Sequence, residues 1–139
     1  MKVYTKKDLV DMGLRFITDG KDIKLFRTLV NGSEVEIKRS LVTCKHKYGH
    51  DKSYYAYSWY GGMKNGKQTS ITLSACRIVY IICKGDIPQN YDVDHIDNNP
   101  LNNDPDNLQV LSRRDNLAKR FVDDPNTCWN QYMAQKRAQ

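Results

Sequence analysis

The chain has 139 residues, 40% of them hydrophobic, and a formal net charge of +6. That length makes one domain, or one domain with a small appendage, the simplest expectation. The longest unbroken apolar run, Ile78 to Cys83, is far too short for a bilayer span and no signal-peptide-like segment opens the chain, so a soluble, cytoplasmic protein without a membrane partner is expected.

The four cysteines, at 44, 76, 83 and 128, form no CxxC pair and read as reduced thiols. Charge is unevenly placed. Residues 1–70 hold 14 Lys and Arg against 7 Asp and Glu, whereas residues 71–139 hold 8 against 9. A basic half beside a locally acidic one suits a polyanion-binding surface next to a cation site, although a solvated basic surface would account for the charge alone equally well.

Thr5 followed by Asp8 is a capping pattern that predicts a short helix with Leu9 and Met12 on one face and Gly13 as its stop. No second helix with recognition spacing follows, so a packing helix is favoured over a helix-turn-helix. From Asp22 to Thr43 the period becomes two: Phe26, Thr28 and Val30 alternate, Asn31-Gly32 turns the chain, and Val35 and Ile37 alternate on the return. Cys44, His46 and His50 are zinc-ligand types, but their spacing matches no common zinc motif, and a basic surface loop is the better reading.

A second hairpin is predicted from Ser53 to Leu73, with Tyr55, Tyr57 and Trp59 alternating against Tyr54, Ala56 and Tyr60, and with Gly61-Gly62 and Asn65-Gly66 bracketing its turn. Its aromatic residues beside Lys64 and Lys67 could lie along a nucleic-acid groove, although at least one face is expected in the core. Ala75 to Lys84, apolar apart from Arg77, reads as a buried helix stopped at Gly85. Near the end, Thr127 can cap a helix carrying Trp129, Tyr132, Met133 and Lys136.

The stretch DVDHIDNNPLNNDPDNLQVLSRRDNLAKR, residues 92–120, dominates the functional reading. A short strand ends in Asp94-His95, an Asn/Asp/Pro-rich loop follows, Leu108 to Leu111 forms a second strand, and Ser112 with Asp115 caps a helix that carries Asn116. Asn107 and Asn116 follow His95 at offsets of 12 and 21. Phosphodiester hydrolysis needs a base to deprotonate water and a cation to stabilise the leaving oxygen. His95 supplies a base type, while Asp94 and Asn116 offer hard oxygens that select Mg²⁺ or Mn²⁺ over zinc. On a regular strand Asp94 and His95 would face opposite sides, so both can reach one phosphate only if the strand ends there. In the helix, Leu117 and Phe121 can pack inward, while Arg113, Arg114, Lys119 and Arg120 add phosphate-binding charge. The bland alternative is an Asn/Asp-rich turn between two strands, with these residues present for backbone reasons.

This arrangement resembles the HNH endonuclease family in its H-N-N variant, as found in phage-type and intron-encoded homing enzymes. The match is good over residues 86–120, including Gly-Asp-Ile-Pro, and residues 53–85 look like the hairpin and helix that precede the motif. The resemblance implies an α+β fold: a ββα-metal (HNH) nuclease core preceded by antiparallel β-hairpins and a short buried helix. It implies His95 as general base, Asp94 and Asn116 as ligands of one divalent ion, Mg²⁺ or Mn²⁺, and Asn107 bracing the loop and orienting His95. The implied activity is cleavage of double-stranded DNA to 5′-phosphate and 3′-hydroxyl ends, nicking or homing in type, in a bacterial host cell if phage-encoded. The alternative is a catalytically inactive DNA-binding protein on the same scaffold; a secreted nuclease toxin is disfavoured because no delivery or receptor segment is seen.

The expected organisation is residues 1–52 as a basic DNA-binding platform, 53–122 as the endonuclease domain with its core at 92–121, and 123–139 as a helical tail. Besides the four residues 113, 114, 119 and 120, Lys64 and Lys67 are candidates for DNA contact. With no long heptad segment in the chain, a monomer is expected.

Overall fold

The computed structural model describes residues 3–45 and 51–123, and for 120–123 the backbone alone. The expected helix from Thr127, the free thiol of Cys128 and the pair His46 and His50 lie outside the described residues. The fold is mixed, with small antiparallel sheets and few helices, and is compatible with the α+β class. No helix among the described residues is long and apolar enough to cross a membrane.

Helix α1, Lys6–Asp11, forms where its cap predicts: the Thr5 hydroxyl accepts from the Asp8 amide at 3.1 Å and the Asp8 carboxylate accepts from the Thr5 amide at 2.9 Å. Asp86 takes the Lys6 amide at 2.8 Å, so a carboxylate from the far side of the chain anchors the helix start. Gly13, at φ +83°, stops the helix and launches β1, Leu14–Thr18. This strand pairs with β2, Ile23–Thr28, which pairs with β3, Glu34–Ile37. The register sets Phe16, Leu25 and Ile37 side by side on the inner face, and Leu25 is fully buried.

Two sequence expectations change here. Strand β1 is an addition to them, because five residues with a mixed exposure pattern carry too little alternation to announce a strand. Val30 is not a strand residue: the Leu29 amide donates to the Ser33 carbonyl at 2.7 Å, and the turn leaves Val30 wholly exposed.

Ser40–Cys44, β4, leaves this sheet and starts a second one in the order β4-β5-β6. Strand β5 is Lys52–Lys64 and β6 is Lys67–Ser74. Only Asn65 and Gly66, at φ 53° and 75°, make the turn between them. Gly61-Gly62 lies within β5 as a bulge, where the register shifts between Tyr60 and Gly62. A Cβ at Gly61 would come within 2.9 Å of the Ile71 side chain, so the bulge depends on a glycine there. Trp59 pairs with Ile71 and Tyr57 with Leu73; both aromatic rings are buried, which makes one face of the stripe core as expected.

Helix α2, Ala75–Cys83, packs on that face with Ala75, Ile78, Val79, Ile81 and Ile82 buried. Leu9, Leu14 and Leu25 from the N-terminal elements join Tyr57, Trp59, Ile78 and Ile81 in one apolar cluster. The last two strands, β7 (Tyr91–His95) and β8 (Leu108–Ser112), are antiparallel and attach to this cluster through Val93 and Val110. Helix α3, Arg113–Asp123, follows β8 directly. A strand, loop, strand and helix therefore stand in the predicted order.

Candidate active site

The geometry starts from where β7 stops. Just past His95 the Ile96 amide donates to the Asn107 carbonyl at 2.8 Å, and the Asn98 amide closes back on the His95 carbonyl at 2.9 Å, with Asn98 at φ 61°. The chain leaves the strand at that point, so two neighbours that would diverge on a regular strand both line one cavity of about 490 Å³. Asn116 and Lys119 from α3 line the same cavity, as does Asp51.

The Asp94 carboxylate lies deep, its side chain 12% exposed. Across the β7–β8 pair its register partner Gln109 donates to Oδ2 at 2.8 Å, and the Lys119 ammonium stands 3.3 Å from the same oxygen. Lys119 also reaches the His95 carbonyl at 3.4 Å and the Asn98 side-chain oxygen at 2.5 Å. Lys119, expected to add phosphate-binding charge, here places that charge beside the recessed Asp94 carboxylate.

Ser112 caps α3 by accepting from the Asp115 amide at 3.1 Å, which puts Asn116 in the first turns of the helix. Arg113 and Arg114 are exposed at its start. Leu117 does not pack inward as expected; it is 49% exposed, because the helix turns Asn116 and Lys119 toward the cavity instead. The side chains of Arg120 and Phe121 fall outside the described set. Lys64 and Lys67 flank the β5–β6 turn, exposed, and do not line the cavity.

The loop between the strands is held by its own polar side chains. Asp97 accepts from the Asn99 amide at 2.8 Å and from the side-chain amides of Asn102 and Asn107, each at 2.9 Å. Led by the Asn102 bond, these hold its carboxyl down to about 2. Asn99 caps the Leu101 amide, Asn102 caps Asp104 and Asp104 caps Asp106, a series of turns in which each side chain meets the backbone two residues on. The backbone reading of this Asn/Asp-rich segment therefore holds.

Asn107 braces the loop: its amide nitrogen donates to Asp97 and to the Asn102 carbonyl, and its oxygen accepts from the Asp97 amide at 3.1 Å. The hydrogen bond to the His95 ring comes from elsewhere. His95 Nε2 lies 2.8 Å from Asn103 Oδ1. Asn103, Gln109 and Asp97 are the residues that the motif pattern does not single out. The repeated i, i+2 spacing of Asp and Asn is the visible sign for Asp97, while nothing local marks Asn103 or Gln109.

The donor set fits a hard divalent cation in kind. Among the described residues no three of His, Cys, Asp and Glu form a metal-ligand cluster. A recessed carboxylate that shares a cavity with a carboxamide offers oxygen ligands of that kind, and a cation there would compete with the Lys119 ammonium 3.3 Å from Asp94.

Residues 75–118 match the family model described as HNH endonuclease, a family whose members are nucleases acting on nucleic acid. No curated protein and no solved structure gives a significant match. The matched segment contains Asp94, His95, Asn107 and Asn116, and residues 75–118 are thus similar to the HNH endonuclease family.

Proposed function

We propose that the protein is a metal-dependent DNA endonuclease of the nicking or homing type, with a ββα-metal core at residues 92–121. The observation that carries the reading is the convergence of Asp94, His95 and Asn116 on one cavity at the end of β7. Asp94 and Asn116 would hold one divalent ion, Mg²⁺ or Mn²⁺, which when bound would stabilise charge on the phosphate and leaving oxygen. His95 takes the proton of the attacking water, and Asn107 keeps the loop in the shape that presents His95. Lys119, whose ammonium stands 3.3 Å from Asp94, would supply positive charge for a phosphate oxygen in the same cavity. Arg113, Arg114 and Arg120 on α3, with Lys64 and Lys67 on the β5–β6 turn, bind the backbone of double-stranded DNA. The products carry 5′-phosphate and 3′-hydroxyl ends.

Incubation with supercoiled plasmid, with and without Mg²⁺ or Mn²⁺, tests the reading. Nicked product that needs the metal supports it, while DNA binding without cleavage under any divalent ion defeats it in favour of a non-cutting DNA-binding protein. One His95-centred site in a monomer makes one attack at a time, so nicked circles should accumulate before linear DNA. Linear product appearing together with nicked product at low enzyme concentration would overturn the monomeric, single-strand reading.

A further inference from the structure

We propose that Asn103 is the positioning residue of His95: its carbonyl oxygen holds the proton on Nε2, so that the neutral ring presents a bare Nδ1 to the cavity. The inference rests on the nuclease reading for its meaning in catalysis, but the contact itself does not.

The ring nitrogen and the carboxamide oxygen are 2.8 Å apart. An amide oxygen can only accept, so in this contact Nε2 is the donor and the lone pair belongs to Nδ1. The opposite amide orientation would have its nitrogen donate to a bare Nε2. That arrangement serves the neutral ring only: once the ring has taken a proton, both ring nitrogens are donors and two N–H groups would oppose each other. The structure places the amide oxygen, an acceptor, against Nε2. Asn103 supplies it, at the cost of burying its own Nδ2 without a partner among the described residues.

The backbone around Asn103 is clamped on both sides, which makes the contact a fixed one. Asn102 donates to Asp97 at 2.9 Å and its carbonyl accepts from Asn107 at 2.9 Å. Asp104 caps the 3₁₀ turn Pro105–Asn107 and pairs with Lys21 at 3.2 Å. Asn107 thus acts on the ring only at one remove, through the segment that holds Asn103.

The test is the tautomer of His95, read from two-bond ¹⁵N–¹H correlations of the metal-free, DNA-free full-length protein with the ring neutral. The chain has 3 histidines, and the His95→Gln spectrum assigns the signal. The expected pattern is protonated Nε2 and unprotonated Nδ1. In Asn103→Ala the preference should collapse toward a mixture and kcat should fall ~10–100-fold with KM little changed, the range typical of partners that orient an active group. Asn103→Asp, which keeps an acceptor oxygen at the same reach, should retain the Nε2–H pattern. If Asn103→Ala fails to fold, the wild-type and Asn103→Asp spectra carry the test. A protonated Nδ1 in the wild type, or an unchanged pattern and kcat in folded Asn103→Ala, overturns the proposal. Because the spectrum needs neither metal nor DNA, the expected tautomer in a protein that cuts no plasmid supports the contact and defeats the nuclease reading alone.

Discussion

Ile78 and Asp97 support the strand end at His95 by opposite physics. Ile78, fully buried in α2, belongs to the apolar cluster on which Val93 and Val110 seat the two strands. Asp97 lies at the loop surface and gathers Asn99, Asn102 and Asn107 around one carboxylate. The cluster gains from removing area from water and tolerates local error, whereas the loop depends on a few directional bonds that water can replace. The cluster therefore sets whether the strands exist, and the loop sets where their ends point.

Four experiments separate the two. The largest effect is expected at the point where they meet: His95→Ala should lose ~10²–10⁴-fold in cleavage rate, the usual share of a general base, with little change in melting temperature. Undiminished plasmid nicking by that variant would remove His95 from the mechanism. Next, Ile78→Ala should cost ~2–5 kcal/mol of stability in urea unfolding while leaving cleavage per folded molecule unchanged, because it opens a cavity in the apolar cluster and Ile78 does not line the site. A loss below roughly 1 kcal/mol would show that the cluster is not tightly packed.

The loop should answer to acid instead. The folded carboxyl of Asp97, at about 2, lies below its ordinary value of 3.8, so its contribution is present above pH ~4 and is lost as pH falls toward 2. Asp97→Asn should remove that part of the acid sensitivity, seen as loop amide exchange that no longer rises across the window. An identical acid profile in the variant would detach the loop from this carboxylate. The smallest effect concerns the distant hairpin: Lys64→Ala with Lys67→Ala should lower the magnitude of the salt slope of DNA binding by about 0.9 for each phosphate that the two lysines neutralise. An unaltered slope would place the β5–β6 turn away from DNA.

The same division explains what could be read from the residues alone. Helix α2 and the alternation of Tyr55, Tyr57 and Trp59 were legible because burial imposes a period. The caps at Thr5 and Ser112 were legible because the bond partners lie three residues apart. The end of β7 at His95 followed from the requirement that Asp94 and His95 both reach one phosphate. The membership of β4 in the second sheet was not legible, because its partner, β5, is a choice made in tertiary space. Asn103, Gln109 and the inward ammonium of Lys119 stay hidden for a related reason. In a segment crowded with Asn and Asp, composition shows that side chains will meet backbone, but not which one is left over to meet an imidazole.

Strand β4 has a consequence for exchange between genes. Ser40–Cys44 pairs with Lys52–Ala56, and Leu9, Leu14 and Leu25 cover the same cluster as α2, so the family-matched segment sits on material contributed from well upstream. A recombination joint placed near residue 52 would deliver the motif with one edge of β5 unpaired and one flank of its helix uncovered, an invitation to aggregate. A graft of the motif should therefore stay folded only where the recipient supplies an edge strand for β5 and apolar cover for α2, which thermal unfolding of the graft would check.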